Sequence, residues 1–374
     1  MRIAIISDTH LGYARFEEDA FVQAERAFLA ASESADAILF AGDVFDTKIP
    51  KLETLDRAIA MLKKVKIPVF AIHGNHERRA KELINPARLL STSGVMTYLH
   101  GEAVPFNSNG EKLQILGIGN IPDEYADEAI KKVIAERFVP EKGAFRILLI
   151  HQSIRELMPH GKNELSLEYL ETLPFDLIVN GHLHGKDVLM KGRFLIPGST
   201  VITQLKKEET AGKGFFMFDT ATKKADFVPI DSRPFFCEDI VLKGASAAEA
   251  REIVKNKIEE LMKKGKNAIV CLKVSGTLKD NVQPDLRFPE YEHVFVDSAL
   301  DAKSLKERLE RIRDARTDQL SVRDLALRQL VEKVKGKITA FDAAEIFEKL
   351  VEGPDEALEY IKREDAHGKA PAGP

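Results

Sequence analysis

Residues 37–46 read AILFAGDVFD. Ala37, Ile38, Leu39 and Phe40 are apolar without alternation, and Gly42-Asp43 closes the run. An unbroken apolar stretch of this length ending in glycine predicts a strand buried on both faces, as in sheets covered by helices. The signature recurs at Ile3 to Ile6, Val69 to Ile72, Leu113 to Ile118, Ile147 to Ile150, Leu177 to Val179 and Phe194 to Ile196. Helical periodicity fills some of the gaps, at Phe16 to Ser32 and Leu52 to Lys64. Such alternation predicts an α/β fold, with β-sheets flanked by helices.

At 374 residues the chain exceeds one ordinary core, and its length suggests about two to three domains. Apolar content of 44% and charged content of 30% are those of a globular protein, and no apolar run reaches the ~18 residues of a membrane span. No membrane association is expected. The opening MRIAIISDTHLG reads as a strand rather than a signal peptide. Cys237 and Cys271 are the only cysteines, too few for a disulfide framework or a thiolate zinc site, so a cytoplasmic setting is expected. A net charge of -4 excludes a globally basic nucleic-acid binder and leaves room only for a local basic groove.

The chain is expected to divide into three parts, 1–232, 233–298 and 299–374. Gly214 to Asp219 and Lys224 to Ile230 read as a closing hairpin, and Asp231-Ser232-Arg233-Pro234 punctuates the chain after it. A small α+β unit follows, with strands near Glu238 to Leu242, Ala268 to Val274 and Glu292 to Val296. Its helix opens on a capping box, Ser246 with Glu249. Beyond it the periodicity is helical, from Leu305 to Val351, and the acidic faces of Asp342 to Asp365 suit a partner-binding appendage.

The residues behind the strands carry the chemistry: Asp8-Thr9-His10, Gly42-Asp43, His73-Gly74-Asn75-His76, His151, and Gly181-His182-Leu183-His184. Six of the ten histidines lie in these five blocks. Ligands in open α/β sheets bind beyond the carboxyl ends of strands, so the blocks are expected to converge. Two carboxylates, one amide oxygen and several imidazoles, without a thiolate, suit manganese, iron or zinc better than calcium. Seven donors exceed the needs of one catalytic ion that keeps an open position. They fit two ions sharing a carboxylate, an arrangement for attack on phosphorus.

The five blocks resemble the motif set of the calcineurin-like metallophosphoesterases over roughly residues 1 to 230. Asp8-Thr9-His10-Leu11-Gly12-Tyr13, His151-Gln152, Pro197-Gly198-Ser199-Thr200 and Lys213-Gly214-Phe215 are similar to the Mre/SbcD nucleases, archaeal type. The resemblance implies a metallophosphoesterase sandwich of β-sheets, a small α+β capping domain that guides DNA, and C-terminal helices that bind an SbcC-like coiled-coil ABC ATPase. It also implies a homodimer at DNA ends, 3'-5' exonuclease and single-strand endonuclease activity in double-strand-break repair, and two divalent ions, Mn2+ foremost, at a nucleoid-associated site. On matching motifs, Asp8, His10, Asp43 and His184 would hold one ion. Asp43, Asn75, His151 and His182 would hold the other, with Asp43 as bridge, and His76 would be the catalytic histidine. Gly-His-x-His is read as extended, its two rings leaning to one side and reaching adjacent ions.

Arg78, Arg79, Lys206 and Lys207 lie near these motifs and are the candidate phosphate contacts of a sequence-indifferent nuclease. Two positions depart from the commonest family pattern: Asp46 stands where many members carry histidine, and Glu77 where they carry aspartate. An ionised Asp46 cannot donate to a phosphate, so that auxiliary role is not carried over. Two rival readings are a phosphatase or small-molecule phosphodiesterase of the same superfamily, and a non-catalytic scaffold that recruits the ATPase to DNA ends. Phosphatases usually continue Gly-Asp-x-x-Asp with Arg-Gly, whereas this chain continues Thr47-Lys48.

Overall fold

The apolar runs lack alternation because each strand is covered on both faces. In β1 (Arg2–Ile6), Ile3 and Ile5 enter one core while Ala4 and Ile6 enter another. The two-residue period of a strand splits one run between two interiors. A computed structural model describes residues 1–80, 82–158, 165–279 and 282–301, together with Lys349.

In chain order the next strands are β2 (Ala37–Phe40), β3 (Val69–Ala71), β4 (Thr97–Tyr98), β5 (Glu102–Ser108), β6 (Glu111–Ile118), β7 (Phe145–Ile150), β8 (Leu177–Asn180), β9 (Asp187–Leu189) and β10 (Phe194–Ile196). They are followed by β11 (Gly214–Asp219), β12 (Lys224–Pro229), β13 (Phe235–Ala245), β14 (Ile269–Leu278) and β15 (Val294–Asp301). The first sheet runs β12-β11-β1-β2-β3-β4 and the second β5-β6-β7-β8-β10-β9. Each is parallel at its centre, with antiparallel strands β11 and β12 at one edge of the first and β5 and β9 at the two edges of the second.

Ile3, Ile5 and Leu39 of the first sheet meet Leu149, Leu177 and Val179 of the second in the core between them. The outer face of the first sheet is covered by α1 (Glu17–Ser34) and α2 (Leu52–Leu62), through Phe21, Phe28, Ala58 and Met61. After α3 (Pro86–Thr92), α4 (Asp123–Arg137) and α5 (Leu167–Thr172) cover the second sheet, through Ile130 and Leu170. The result is a mixed α/β sandwich of two sheets between helices, as the alternation predicts.

The chain then forms a three-stranded sheet, β13-β14-β15, packed against α6 (Ala247–Lys264) through Leu242, Val254, Ile258, Val270 and Leu272. The capping box predicted at Ser246 and Glu249 is present in both directions. β15 starts two residues after the predicted Glu292 and extends past 298 to Asp301. The two cysteines stand opposite each other in the register of β13 and β14, both as free thiols. The helices expected from Leu305 onward lie outside the described residues, except for Lys349, which is helical. Among those that are described, no helix is long and apolar enough to cross a membrane.

The ring of Phe28, 1% exposed, stacks on Phe40 at 5.6 Å and ties α1 to β2. Phe28→Ala is expected to cost about 3–5 kcal/mol, read as a lower urea midpoint at unchanged slope.

Candidate metal centre

β1, β2 and β3 deliver Asp8, Asp43 and Asn75 just past their carboxyl ends, and β7 and β8 of the second sheet deliver His151 and His182. The five blocks therefore meet across the mouth of the sandwich. Asp8, His10, Asp43 and His151 are each no more than 1% exposed. Asp8, His10, Asp43 and His182 are also left-handed, with φ of 52°, 44°, 55° and 76°. Non-glycine residues held there cost of order 1–3 kcal/mol each, and such strain gathers where side chains must be aimed.

Two donor groups are visible. In the first, His10 Nε2 and His184 Nε2 lie 3.2 Å apart, each 3.9 Å from Asp8 Oδ1. In the second, Asn75 Oδ1 lies 3.1 Å from His151 Nε2 and 2.9 Å from His182 Nδ1. Asp43 Oδ2 stands between them, 3.9 Å from His10 Nε2 and 3.3 Å from His151 Nε2. His182 is turned rather than extended, which corrects the expectation for Gly-His-x-His. Its positive φ sends the ring to Asn75, while the ring of His184 joins His10.

These residues fit a cation. His10 Nδ1 meets Asp46 Oδ1 at 3.0 Å and His184 Nδ1 meets Thr203 Oγ1, so each ring holds its proton on Nδ1 and turns an Nε2 lone pair inward. Two such lone pairs facing each other make no hydrogen bond between neutral rings. Beside them Asp8 Oδ1 is buried without a hydrogen-bond partner. An orphaned carboxylate oxygen and two opposed imidazole nitrogens are the donor set of a divalent ion. His151 is prepared in the same way, its Nδ1 2.6 Å from the carbonyl of Ala41.

Residues 1–186 match the family model for calcineurin-like phosphoesterases. They form a calcineurin-like phosphoesterase domain. The chain is similar to the double-strand break repair protein MRE11 of Coprinopsis cinerea, 24% identical over 327 residues, covering 68% of this chain and 44% of that protein. It is 27% identical over 297 residues to the DNA double-strand break repair protein Mre11 of Sulfolobus acidocaldarius, covering 74% of this chain and 76% of that one. A crystal structure of TT1561 of Thermus thermophilus aligns at 17% identity over 61% of this chain and 98% of that one, with a TM-score of 0.43. The chain spans about half the length of several of the curated MRE11 relatives it matches.

Within the phosphoesterase domain, Asp46 has a clear position. Its carboxylate backs His10, and its backbone carbonyl lies 3.0 Å from His76 Nδ1. His76 is held at the rim, 39% exposed, with its backbone N–H donating to Asp43 Oδ1 at 3.0 Å. Arg78 and Arg79 line a cavity of about 680 Å³ with Arg88, Asn85 and Tyr98, and Asn120 on its wall donates to the carbonyl of His151. Lys206 and Lys207 are exposed at the start of a 3-10 turn, Lys207–Thr210, and neither lines that cavity.

Glu77 is fully buried, and burial first, then the charge of Asp43, pushes its carboxyl up to about 8 although Phe45 N–H and Gly74 N–H donate to it. Burial opposes a charge on His151, but the carboxylates of Asp43 and Asp8 raise it to about 9, while His10, His76 and His151 hold Asp43 well below the usual carboxylate range against its own burial.

Glu77 and His151 both hold protons more tightly folded than unfolded, where their values are about 4.3 and 6.5. Their stabilisation is therefore full at low pH and is lost as pH rises through about 8 and 9. In chelator, the melting temperature should fall between pH 7 and 9.5, and a divalent ion taking the place of the His151 proton should flatten that slope; a flat profile in chelator would refute the assignment. Asp46→Ala should weaken divalent-cation binding by about tenfold or more, measured by calorimetry, through loss of the carboxylate behind His10.

Proposed function

We propose that the chain is a metal-dependent DNA nuclease of double-strand-break repair, a 3'-5' exonuclease at DNA ends and an endonuclease on single strands. The observation that carries this reading is Asp43, whose Oδ2 lies within 4 Å of an imidazole nitrogen from each donor group, as a shared carboxylate would. Asp8, His10, Asp43 and His184 would hold one ion, and Asp43, Asn75, His151 and His182 the other. Mn2+ suits this thiolate-free mixture of nitrogen and oxygen. When bound, the ions supply a nucleophile from water at neutral pH and neutralise charge on the phosphate.

The chain's own groups do the rest. His76 Nδ1 is engaged by the carbonyl of Asp46, so Nε2 is the atom left for substrate, and in the protonated ring it donates to the leaving 3' oxygen. Arg78, Arg79, Lys206 and Lys207 bind strand phosphates without reading bases. The naming of the relatives for double-strand-break repair favours a DNA diester over a phosphomonoester.

Residues 233–298 would guide DNA as a capping domain, and residues 299–374 would bind an SbcC-like coiled-coil ABC ATPase at the nucleoid in the cytoplasm. Exposed apolar side chains around α2 and α3, among them Ile49, Leu52, Ile84 and Leu89, support a homodimer formed through these helices.

With Mn2+, the full chain should degrade linear duplex DNA, and His76→Ala should lower that rate by about 10²–10⁴-fold while still binding Mn2+. Hydrolysis of p-nitrophenyl phosphate without DNA cleavage would assign the protein to the phosphomonoesterases instead.

A further inference from the structure

His184 is backed by a buried chain of polar groups in which Thr203 and Glu209 lie outside every quoted motif. Its Nδ1 meets Thr203 Oγ1, and Thr203 Oγ1 lies 3.1 Å from Glu209 Oε1, which also accepts from Gln204 N–H at 3.3 Å. Glu209 Oε2 is bonded to Lys213 Nζ, which donates onward to Ser199 Oγ at 2.7 Å. Ser199 N–H in turn donates to the carbonyl of His184 at 3.1 Å, so the chain closes on the residue where it began. Glu209 and Lys213 are 7% and 5% exposed.

The hydroxyl gives this chain a direction. A threonine has one proton to donate, and a carboxylate paired with an ammonium only accepts. Thr203 therefore donates to Glu209 and accepts from His184 Nδ1–H, which leaves His184 Nε2 as the inward lone pair. We propose that Thr203 and Glu209 are positioning residues for His184 and that, with Asp46 behind His10, they make one of the two cation sites tighter than the other.

The asymmetry is visible in what stands behind each ring. In the first donor group both imidazoles are backed by a carboxylate, His10 directly by Asp46 and His184 through Thr203 by Glu209. In the second, His151 is backed by the carbonyl of Ala41, and His182 Nε2 by Ser153 Oγ at 3.3 Å, which donates on to Asp123 Oδ2 at 3.2 Å, a carboxylate that is exposed where Glu209 is buried. A buried carboxylate raises the basicity of the ring it backs more than a neutral carbonyl or a solvent-screened carboxylate does, and so raises its affinity for a cation. The inference rests on the two-cation reading above.

The test is Mn2+ binding to the full chain, followed by calorimetry and by loss of the free-ion electron paramagnetic resonance signal. Glu209→Gln leaves Lys213 buried without its counter-charge, so Thr203→Val, which removes the hydroxyl at nearly constant volume, is the decisive variant. The wild type should bind in two steps. Thr203→Val should weaken the tighter step by about 10–100-fold, and Thr203→Ser should restore it. Two wild-type steps that Thr203→Val leaves in place, shifts equally, or shifts only in the weaker one would overturn the inference alone. A wild-type chain that binds no Mn2+ would overturn the two-cation reading and this inference with it.

Discussion

Two carboxylates, Asp8 and Asp43, are buried side by side where the two sheets meet, and the rest of the site answers to the charge they carry. Water cannot reach them, so their charge must be met from within or by an ion. Histidines come in from both sheets, and backbone has to come close enough to let them. A Cβ on Gly74 would lie 2.0 Å from Asp43 Oδ1, and one on Gly42 would lie 2.5 Å from His151 Nδ1 at a φ of +92°. Both glycines are therefore the absence of a side chain where a carboxylate or an imidazole needs the space.

The scaffold explains how such a crowded mouth is tolerated. The strained residues Asp8, His10 and Asp43 follow central strands whose faces are both packed, and the bonds Asp8 N–H to Gly42 carbonyl and His10 N–H to Asp43 carbonyl lock the two loops together. Strain of this kind persists only where the surroundings over-determine it. A phosphoesterase domain places its reactive groups on short loops held between rigid strands, and the side chains need no rearrangement to face a shared point.

Much of this was legible in the sequence because it is local. Unbroken apolar runs predict β1, β2, β6, β7, β8 and β10, and the polar residues that follow them are those that converge. The strands missed are short or lie at edges: β4 has two residues, β9 three, and β5 alternates on an exposed edge. Among the helices α4 was missed although it runs for 15 residues, because it buries only Ala126 and Ile130 and so carries no broad apolar stripe. The long-range pairings were invisible. Asp46 could be read only as an acid out of place, because its partner His10 lies 36 residues earlier. Glu209 carried no signal, Lys213 entered only through the resemblance of Lys213-Gly214-Phe215, and nothing local announces that both are buried behind a histidine. The extended reading of Gly181 to His184 failed for a related reason: the positive φ of His182 follows from the site it serves, not from its own propensity.

The first sheet has one further property, which concerns synthesis. Once β1 is made, its neighbour β2 follows within forty residues, but its other neighbour is β11, where Ile3 pairs with Phe218. At about 5–20 residues per second, a ribosome takes roughly ten to forty seconds to cover that distance. For that interval one edge of β1 lacks its native partner. The donors are spread along the same span, from Asp8 to His184, so a nascent chain has a complete ion-binding mouth only when most of the sandwich has been translated. Ion capture would then mark the end of assembly rather than nucleate it.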